Sequence, residues 1–261
     1  MRQIELTRAT AAGQQLKAFG WACLNALQLA FTLCWTAACI TLAMATRAAT
    51  GRRDLALRMA ARLWAPGLLG GAGARVVVEG AEAIDWSRPH LLVANHQSII
   101  DICALYRAVP EPLLFLLSRE TMSWPFVGWY ARGMDMPFID RGNPRAAPAS
   151  LRAAAPRVRD GAHLCLFPEG TRSRDGVVGP FRPAAFQAAI DAGVQVLPVA
   201  LQGTGAVLPV DGLFGVRPGT IRVRFGTPIA TAGDGATGDR QRLAQQAQSQ
   251  VLALLRRAPR G

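Results

Sequence analysis

Of the three histidines in the chain, only His96 has an acid placed to work with it. Asp101 lies five positions on, and the residues between, Gln97-Ser98-Ile99-Ile100, begin as a turn and run into helix-like sequence. Just ahead, Leu91-Leu92-Val93-Ala94 reads as a buried strand. His96 therefore falls in a strand-to-helix turn, where α/β folds bind ligands. Asp101 falls about one turn into the helix, close enough to fold back on the imidazole. A carboxylate there fixes the tautomer and stabilises the imidazolium as it forms. Such a pair can draw a proton from an alcohol. A histidine with an acid at this distance also arises by chance, so spacing alone does not assign the chemistry. His90 and His163 have no such partner; each starts a strand and reads as structural. Ser98 reads as a helix cap, not a nucleophile, and the chain contains no Gly-x-Ser-x-Gly elbow.

A second polar cluster follows another strand-like run, Leu164-Cys165-Leu166-Phe167, as Pro168-Glu169-Gly170-Thr171-Arg172-Ser173. Gly170 allows a tight turn or a close backbone approach to a ligand. Arg172 can hold a phosphate through two parallel hydrogen bonds. Glu169 can accept from a substrate hydroxyl or hold Arg172 in position; an ordinary turn with a surface ion pair is the plainer alternative. Two smaller pieces are Phe138-Ile139-Asp140-Arg141, a strand end with a charge pair, and Val196-Leu197-Pro198-Val199-Ala200. Pro198 inside that strand implies a bulge or a sheet edge.

The elements that must position these residues are short and alternate. Strand-like runs cover residues 75–79, 91–94, 113–117, 137–139, 162–167, 195–201 and 221–225. Helix-like stretches cover 98–107, 145–159, 184–192 and 239–257, and 231–239 reads as a loop. The alternation predicts an α/β fold, a mixed β-sheet flanked by helices. The composition shifts at Gly70-Gly71, which divides the chain into N-terminal membrane-anchoring helices, 1–70, and an α/β domain, 71–261.

That N-terminal part carries no charge from residue 18 to residue 46, bounded by Lys17 and Arg47. As a helix it would reach roughly 43 Å, against about 30 Å of bilayer hydrocarbon. It is too long for a signal peptide. A single tilted span and a membrane-embedded hairpin or surface-lying helix pair both fit, because residues 52–65 follow as a basic interfacial helix that Pro66-Gly67 would end. Basic residues flank both ends, so charge does not orient the segment.

The net charge of +12 attracts anions: nucleic acid, lipid head groups or phosphorylated substrates. All of the 29 basic residues but Lys17 are arginine, which a coding preference explains as a whole. The long uncharged segment argues against a nucleic-acid binder. The five cysteines form no Cys-x-x-Cys pair and read as small buried hydrophobes in a reducing compartment, with no metal site.

Together these pieces resemble the lysophosphatidate (1-acyl-sn-glycerol-3-phosphate) acyltransferase family of glycerolipid acyltransferases. Asn95 to Asp101 looks like its first motif, a histidine and an aspartate separated by four residues. Phe138-Ile139-Asp140-Arg141 looks like the second, Phe167 to Ser173 matches the third, and Val196 to Ala200 resembles the fourth. The resemblance spans roughly residues 75–230, in order. It implies that His96 and Asp101 deprotonate a glycerol hydroxyl, which attacks the thioester of acyl-CoA or acyl-carrier protein, with no cofactor, metal or covalent acyl-enzyme. It also implies that Arg141, Glu169, Gly170, Thr171 and Arg172 bind the lysophospholipid acceptor, at the cytoplasmic face of an inner membrane. Two departures leave the acceptor open. Arg119 stands where relatives often have lysine, and Phe181-Arg182-Pro183-Ala184 stands where they often have Phe-Lys-x-Gly. Another lysolipid, such as lyso-ornithine lipid, is an alternative acceptor, and a non-catalytic anionic-lipid-binding protein is an alternative of another class.

Overall fold

The computed structural model describes residues 2–140, 142, 147–211, 215–231 and 236–258; Arg141 lies outside them. Among the described residues eight strands follow in chain order: β1 (Ala74–Glu79), β2 (His90–Ala94), β3 (Leu113–Phe115), β4 (Leu117–Ser118), β5 (Phe138–Ile139), β6 (His163–Leu166), β7 (Gln195–Gln202) and β8 (Gly219–Phe225). Six form one sheet in the order β1-β8-β7-β2-β6-β3, and β4 pairs with β5 separately. Only the β7–β8 pair is antiparallel, so the sheet is mixed, as expected. β2 and β6 are buried at every residue, which explains their unbroken apolar sequence.

The nine helices are α1 (Arg2–Thr50), α2 (Arg53–Met59), α3 (Ala65–Gly71), α4 (Asp101–Ala108), α5 (Val127–Gly133), α6 (Ala147–Arg159), α7 (Gln187–Ala192), α8 (Thr204–Val207) and α9 (Ala236–Arg256) among the described residues. One core layer joins α6, α7 and α9 to one sheet face through residues such as Leu151, Phe186 and Leu243. The other joins α3 and α4 to the opposite face through Leu69, Leu105 and Phe115. Arg224 on β8 is buried; it pairs with Glu79 at 3.2 Å and donates to the Leu254 carbonyl at 3.2 Å, fixing the end of α9.

Four local expectations need correction. Residues 113–117 are not one strand. The Leu116 amide donates to Cys165 in the main sheet and the Leu117 amide to Pro137 beside β5, so the chain changes sheets there. Consecutive amides of an extended chain point opposite ways, which makes the switch possible within one residue. Pro198 is neither on an edge strand nor itself bulged. β7 is central, and Pro198 pairs with Val93. Between the Val199–Phe225 pair and the Val196–Ile229 bridge, the partner segment carries the extra residue (Gly226, Thr227 and Pro228 against Leu197 and Pro198). The Gly226 amide donates to the Pro198 carbonyl in that gap, where the ladder asks no N–H of Pro198.

Pro66-Gly67 does not stop the N-terminal helix pair. A single π-helical turn, Ala60–Trp64, joins α2 to α3, and Pro66 sits in the first turn of α3, where its missing N–H costs nothing. Gly67 serves close packing instead: a Cβ there would lie 2.2 Å from Trp35 Nε1, and one at Gly71 would lie 2.6 Å from the Phe31 ring. Phe31 and Trp35 are four apart on α1, as Gly67 and Gly71 are on α3, so the two helices mesh along one stripe. Trp64 adds a hydrogen bond from Nε1 to Thr36 Oγ1, 3.0 Å. The reversal between them is at Gly51, with φ of 68°. Residues 52–65 are also fastened to the α/β domain. Arg53 pairs with Asp135 and Arg58 with Glu111, while Ala56 and Leu57 are buried in the core. Finally, Cys39, Cys103 and Cys165 are buried, but Cys23 and Cys34 are exposed on α1, along with Phe19, Trp21, Leu24 and Leu27.

His90 and His163, at the starts of neighbouring strands, stack at 5.7 Å between ring centroids with Trp86 edge-on to both. Burial lowers the pKa of each, the two rings facing Asp85, Arg88 and Glu111. A histidine with a depressed folded-state pKa binds fewer protons folded than unfolded, so its contribution is present above the unfolded value, about 6.5, and is lost as pH falls below it. The urea midpoint of the wild type is therefore expected to fall between pH 7.5 and about 5.5, and to fall less in a His90→Phe/His163→Phe variant. Equal pH dependence in the two proteins would contradict this.

Candidate active site

β2 lies between β7 and β6, so the turn that leaves it is held from both sides. On the β7 side Asn95, buried, donates from Nδ2 to the Leu201 carbonyl at 2.9 Å and accepts from the Leu201 amide at 2.7 Å. Its side chain thus imitates one further step of the ladder. On the β6 side the loop after Phe167 captures the backbone of His96. Glu169 Oε1 accepts from the His96 amide at 2.8 Å, and the Ser173 amide donates to the His96 carbonyl at 2.8 Å. With both its backbone groups engaged, His96 has little freedom to pivot.

Asp101 opens α4 and is wholly buried. Its Oδ2 accepts from His96 Nδ1 at 2.7 Å, from the Gln97 amide at 2.8 Å and from the Ser98 amide at 2.9 Å. A carboxylate only accepts, so Nδ1 must carry the hydrogen and Nε2 is left as the acceptor. Among the described residues nothing hydrogen-bonds Nε2. The sequence-predicted pair is therefore brought together in the geometry of a general base with its orienting acid.

Ser98 is fully buried. Its hydroxyl donates to the Leu208 carbonyl at 2.6 Å and accepts from the Ile100 amide at 3.3 Å, so it shapes the turn. Burial, and the charge of Asp101 after it, push the Cys103 and Cys165 thiols well up, which keeps them protonated. Neither the serine nor these cysteines is placed to act as a nucleophile.

The third motif divides into two parts. Glu169 is buried and both its oxygens are spent on backbone amides, Oε2 accepting from Gly179 at 2.8 Å. It does not hold Arg172, the alternative its position in sequence allowed. Burial raises the Glu169 pKa, and the Gly179 and His96 amides oppose that rise. Gly170 has φ of 78° and turns the loop back, its amide donating to Phe167. A Cβ on it would lie 3.0 Å from the Arg182 guanidinium carbon, so Arg182 lies across this backbone. Thr171 is exposed and Arg172 is half-buried, with no ion pair among the described residues. Arg172 immediately precedes the Ser173 amide that binds His96, so its charge is at the rim of the same turn. Arg119 pairs loosely with Asp140 at 3.7 Å.

Phe167 was not singled out by sequence reasoning. Its ring stacks on the His96 imidazole at 3.8 Å between centroids and 11° between planes. The Val93–Leu166 register carries Phe167, one step past β6, level with Ala94 at the end of β2, two residues before His96. Only knowledge that β2 and β6 are neighbours could have signalled it. The stack fixes the plane of the imidazole and offers a π face to the imidazolium. In spectra of histidine-labelled protein, the His96 ring protons are expected upfield from the ring current of Phe167. Phe167→Leu should move them downfield and Phe167→Tyr should not; identical shifts in all three proteins would contradict the stack.

The chain is similar to known acyltransferases in sequence and in fold. Residues 75–202 match the family described as Acyltransferase. A chloroplastic 1-acyl-sn-glycerol-3-phosphate acyltransferase of Brassica napus is 35% identical over 153 residues, which is 58% of this chain and 44% of that protein. The lyso-ornithine lipid O-acyltransferase of Rhodobacter capsulatus is 41% identical over 118 residues, 43% of this chain and 41% of that protein. The chain thus spans under half the length of these relatives. The crystal structure of the 1-acyl-sn-glycerophosphate acyltransferase PlsC from Thermotoga maritima superposes with a TM-score of 0.73 at 26% identity, over 90% of this chain and 98% of that one. With the four motifs in order on that shared fold, the chain belongs to the acyltransferase family that includes the 1-acyl-sn-glycerol-3-phosphate acyltransferases.

Proposed function

We propose that this protein is a membrane-bound lysophospholipid O-acyltransferase that acylates the sn-2 hydroxyl of 1-acyl-sn-glycerol-3-phosphate to give phosphatidate. The donor is the thioester of acyl-CoA or acyl-carrier protein. The observation that carries this reading is the 2.7 Å contact between His96 Nδ1 and Asp101, with Nε2 left without a partner among the described residues. The acceptor hydroxyl gives its proton to Nε2 while its oxygen attacks the thioester carbonyl. The C–S bond then breaks, and the imidazolium returns the proton to the leaving thiolate. Asp101 stabilises the imidazolium throughout. Arg172, and Arg141 by its place in the second motif, would bind the acceptor phosphate, with Gly170 and Thr171 shaping the loop around its glycerol. Glu169 serves this site through the His96 backbone.

Two further features support a lipid substrate. An apolar cavity of about 100 Å³ lies between α1, α4 and α5, walled by Ile102, next to Asp101, and by Ile40, Met59 and Tyr130. Residues Ala18–Thr50 of α1 are long and apolar enough to cross a membrane. We assign residues 1–70 to membrane anchoring, with the site on the cytoplasmic side of an inner membrane, where activated acyl groups occur.

Lyso-ornithine lipid is the second reading, favoured by the Rhodobacter relative. It lacks the phosphate for which Arg172 is suited. Purified protein offered both acceptors with a labelled donor should acylate lysophosphatidate faster; turnover of lyso-ornithine lipid alone would reverse the assignment. His96→Ala is expected to reduce turnover at least about a hundredfold in a folded protein. Near-normal turnover would remove the general base. Arg172→Lys should raise KM for lysophosphatidate about tenfold, leaving the donor KM unchanged, because an ammonium gives up the bidentate contact. An unchanged acceptor KM would take Arg172 out of the phosphate site.

A further inference from the structure

Outside α1, the largest exposed apolar side chains cluster in one short stretch. Trp124 is 48% exposed, Phe126 37% and Trp129 57%. Phe126 and Trp129 meet edge to face at 5.3 Å, and Trp124, two residues before Phe126, adds a third exposed ring to this aromatic knob. The backbone is bent to make it. Phe126 has φ of 59° and ψ of −53°, and the Val127 amide closes on the Pro125 carbonyl at 2.6 Å, a γ-turn of the strained positive-φ form. Next to it, a Cβ on Gly128 would lie 2.2 Å from the Met122 carbonyl oxygen, so the turn is locked from behind. Strain of this kind on a bulky residue, spent to expose a phenyl ring, points to a use for the ring.

The knob is continuous with the apolar helix. A Cβ on Gly133, the last residue of α5, would lie 2.7 Å from Met44 Sδ and 3.9 Å from an Arg47 nitrogen. Arg47 is the first charge after the uncharged run of α1. Toward its other end, α5 contributes Val127 and Tyr130 to the cavity whose α1 wall includes Thr36 and Ile40. So α5 lies along the last turns of the apolar run and stops where the charge begins. The knob, at the Val127 end of α5, is therefore level with the apolar turns of α1 that precede Arg47, where exposed tryptophan and phenylalanine suit the acyl-chain side of a membrane–water interface. The nearby cations, Arg119 at 70% side-chain exposure and exposed Arg132, suit anionic head groups.

We propose that Trp124, Phe126 and Trp129 form a second membrane contact that enters the acyl-chain boundary of the bilayer beside α1. This rests on the membrane reading above and deepens it: a contact on the α/β domain beside that of α1 fixes the tilt of the domain on the lipid surface, where one helix would leave it free to swing. Access of a bilayer-resident acceptor to His96 then depends on the knob.

The test uses full-length protein in vesicles of phosphatidylethanolamine and phosphatidylglycerol. The emission of Trp124 and Trp129 is obtained as the difference between wild type and a Trp124→Phe/Trp129→Phe variant. Lipids brominated on the upper acyl carbons are expected to quench that difference emission, and aqueous iodide is not. Quenching by iodide, meaning solvent, or by neither agent, meaning a second copy of the chain, would overturn the proposal. On the same preparations, Trp124→Ser/Phe126→Ser/Trp129→Ser should raise KM for acceptor in vesicles at least about threefold, with no change for acceptor in detergent micelles. Equal KM in vesicles would also overturn it. Acyl transfer without lipid quenching would remove the knob alone, and lipid quenching without acyl transfer would remove the proposed reaction alone.

Discussion

Asp101 is an acid with no access to water, and the site is arranged around what that requires. A buried carboxylate is costly unless donors surround it. Here one oxygen takes three, two from the turn and one from the imidazole. The two amides can reach it only if residues 97–98 turn sharply and α4 begins at Asp101. The charge therefore dictates the local fold as well as the chemistry. The other oxygen, Oδ1, has no partner among the described residues.

The rest of the sheet end carries out the same constraint at longer range. Asn95, Glu169 and the Ser173 amide tie the turn to both neighbouring strands. Phe167 covers one face of the imidazole. What remains open is the Nε2 edge. On the other side of α4 the elements change character: Ile102 and Tyr106 face the apolar cavity and the N-terminal helices. A single short helix thus has the buried carboxylate that orients His96 at its start and an apolar cavity wall one residue later.

Much of this was legible in the residues, and the pattern of what was not is informative. The His96–Asp101 pair, the strand ends that carry the motifs and the mixed α/β layer could be read because each depends on local order: period, turn residues and spacing. Phe167, Asn95 and the inward role of Glu169 could not, because each acts across strands, and strand order is not written in local sequence. Pro66-Gly67 misled for a related reason. A proline and a glycine together normally end a helix, but a π-turn absorbed the first and the Trp35 ring claimed the space of the second. The split of residues 113–117 between two sheets was hidden because alternate amides can serve different partners without any change in apolar pattern.

The division of labour within the third motif bears on how such an enzyme can vary its acceptor without touching its chemistry. Glu169 is committed inward: removing its carboxylate would free the His96 and Gly179 amides, so it cannot change without disturbing His96. Arg172 is half-buried and makes no ion pair among the described residues, so its guanidinium is available to an incoming group. Arg182 lies over Gly170, and Arg119 is held only by a 3.7 Å contact with Asp140. All three cations are outside the packed core that holds His96. A change of head group therefore asks for rearrangement of arginines at the rim, while the imidazole, its acid and its stacked phenyl ring stay as they are. Relatives that act on a phosphate-headed and on an amino-acid-headed lysolipid can accordingly share one catalytic framework, and arginine in place of lysine at positions 119 and 182 is a difference in that variable layer.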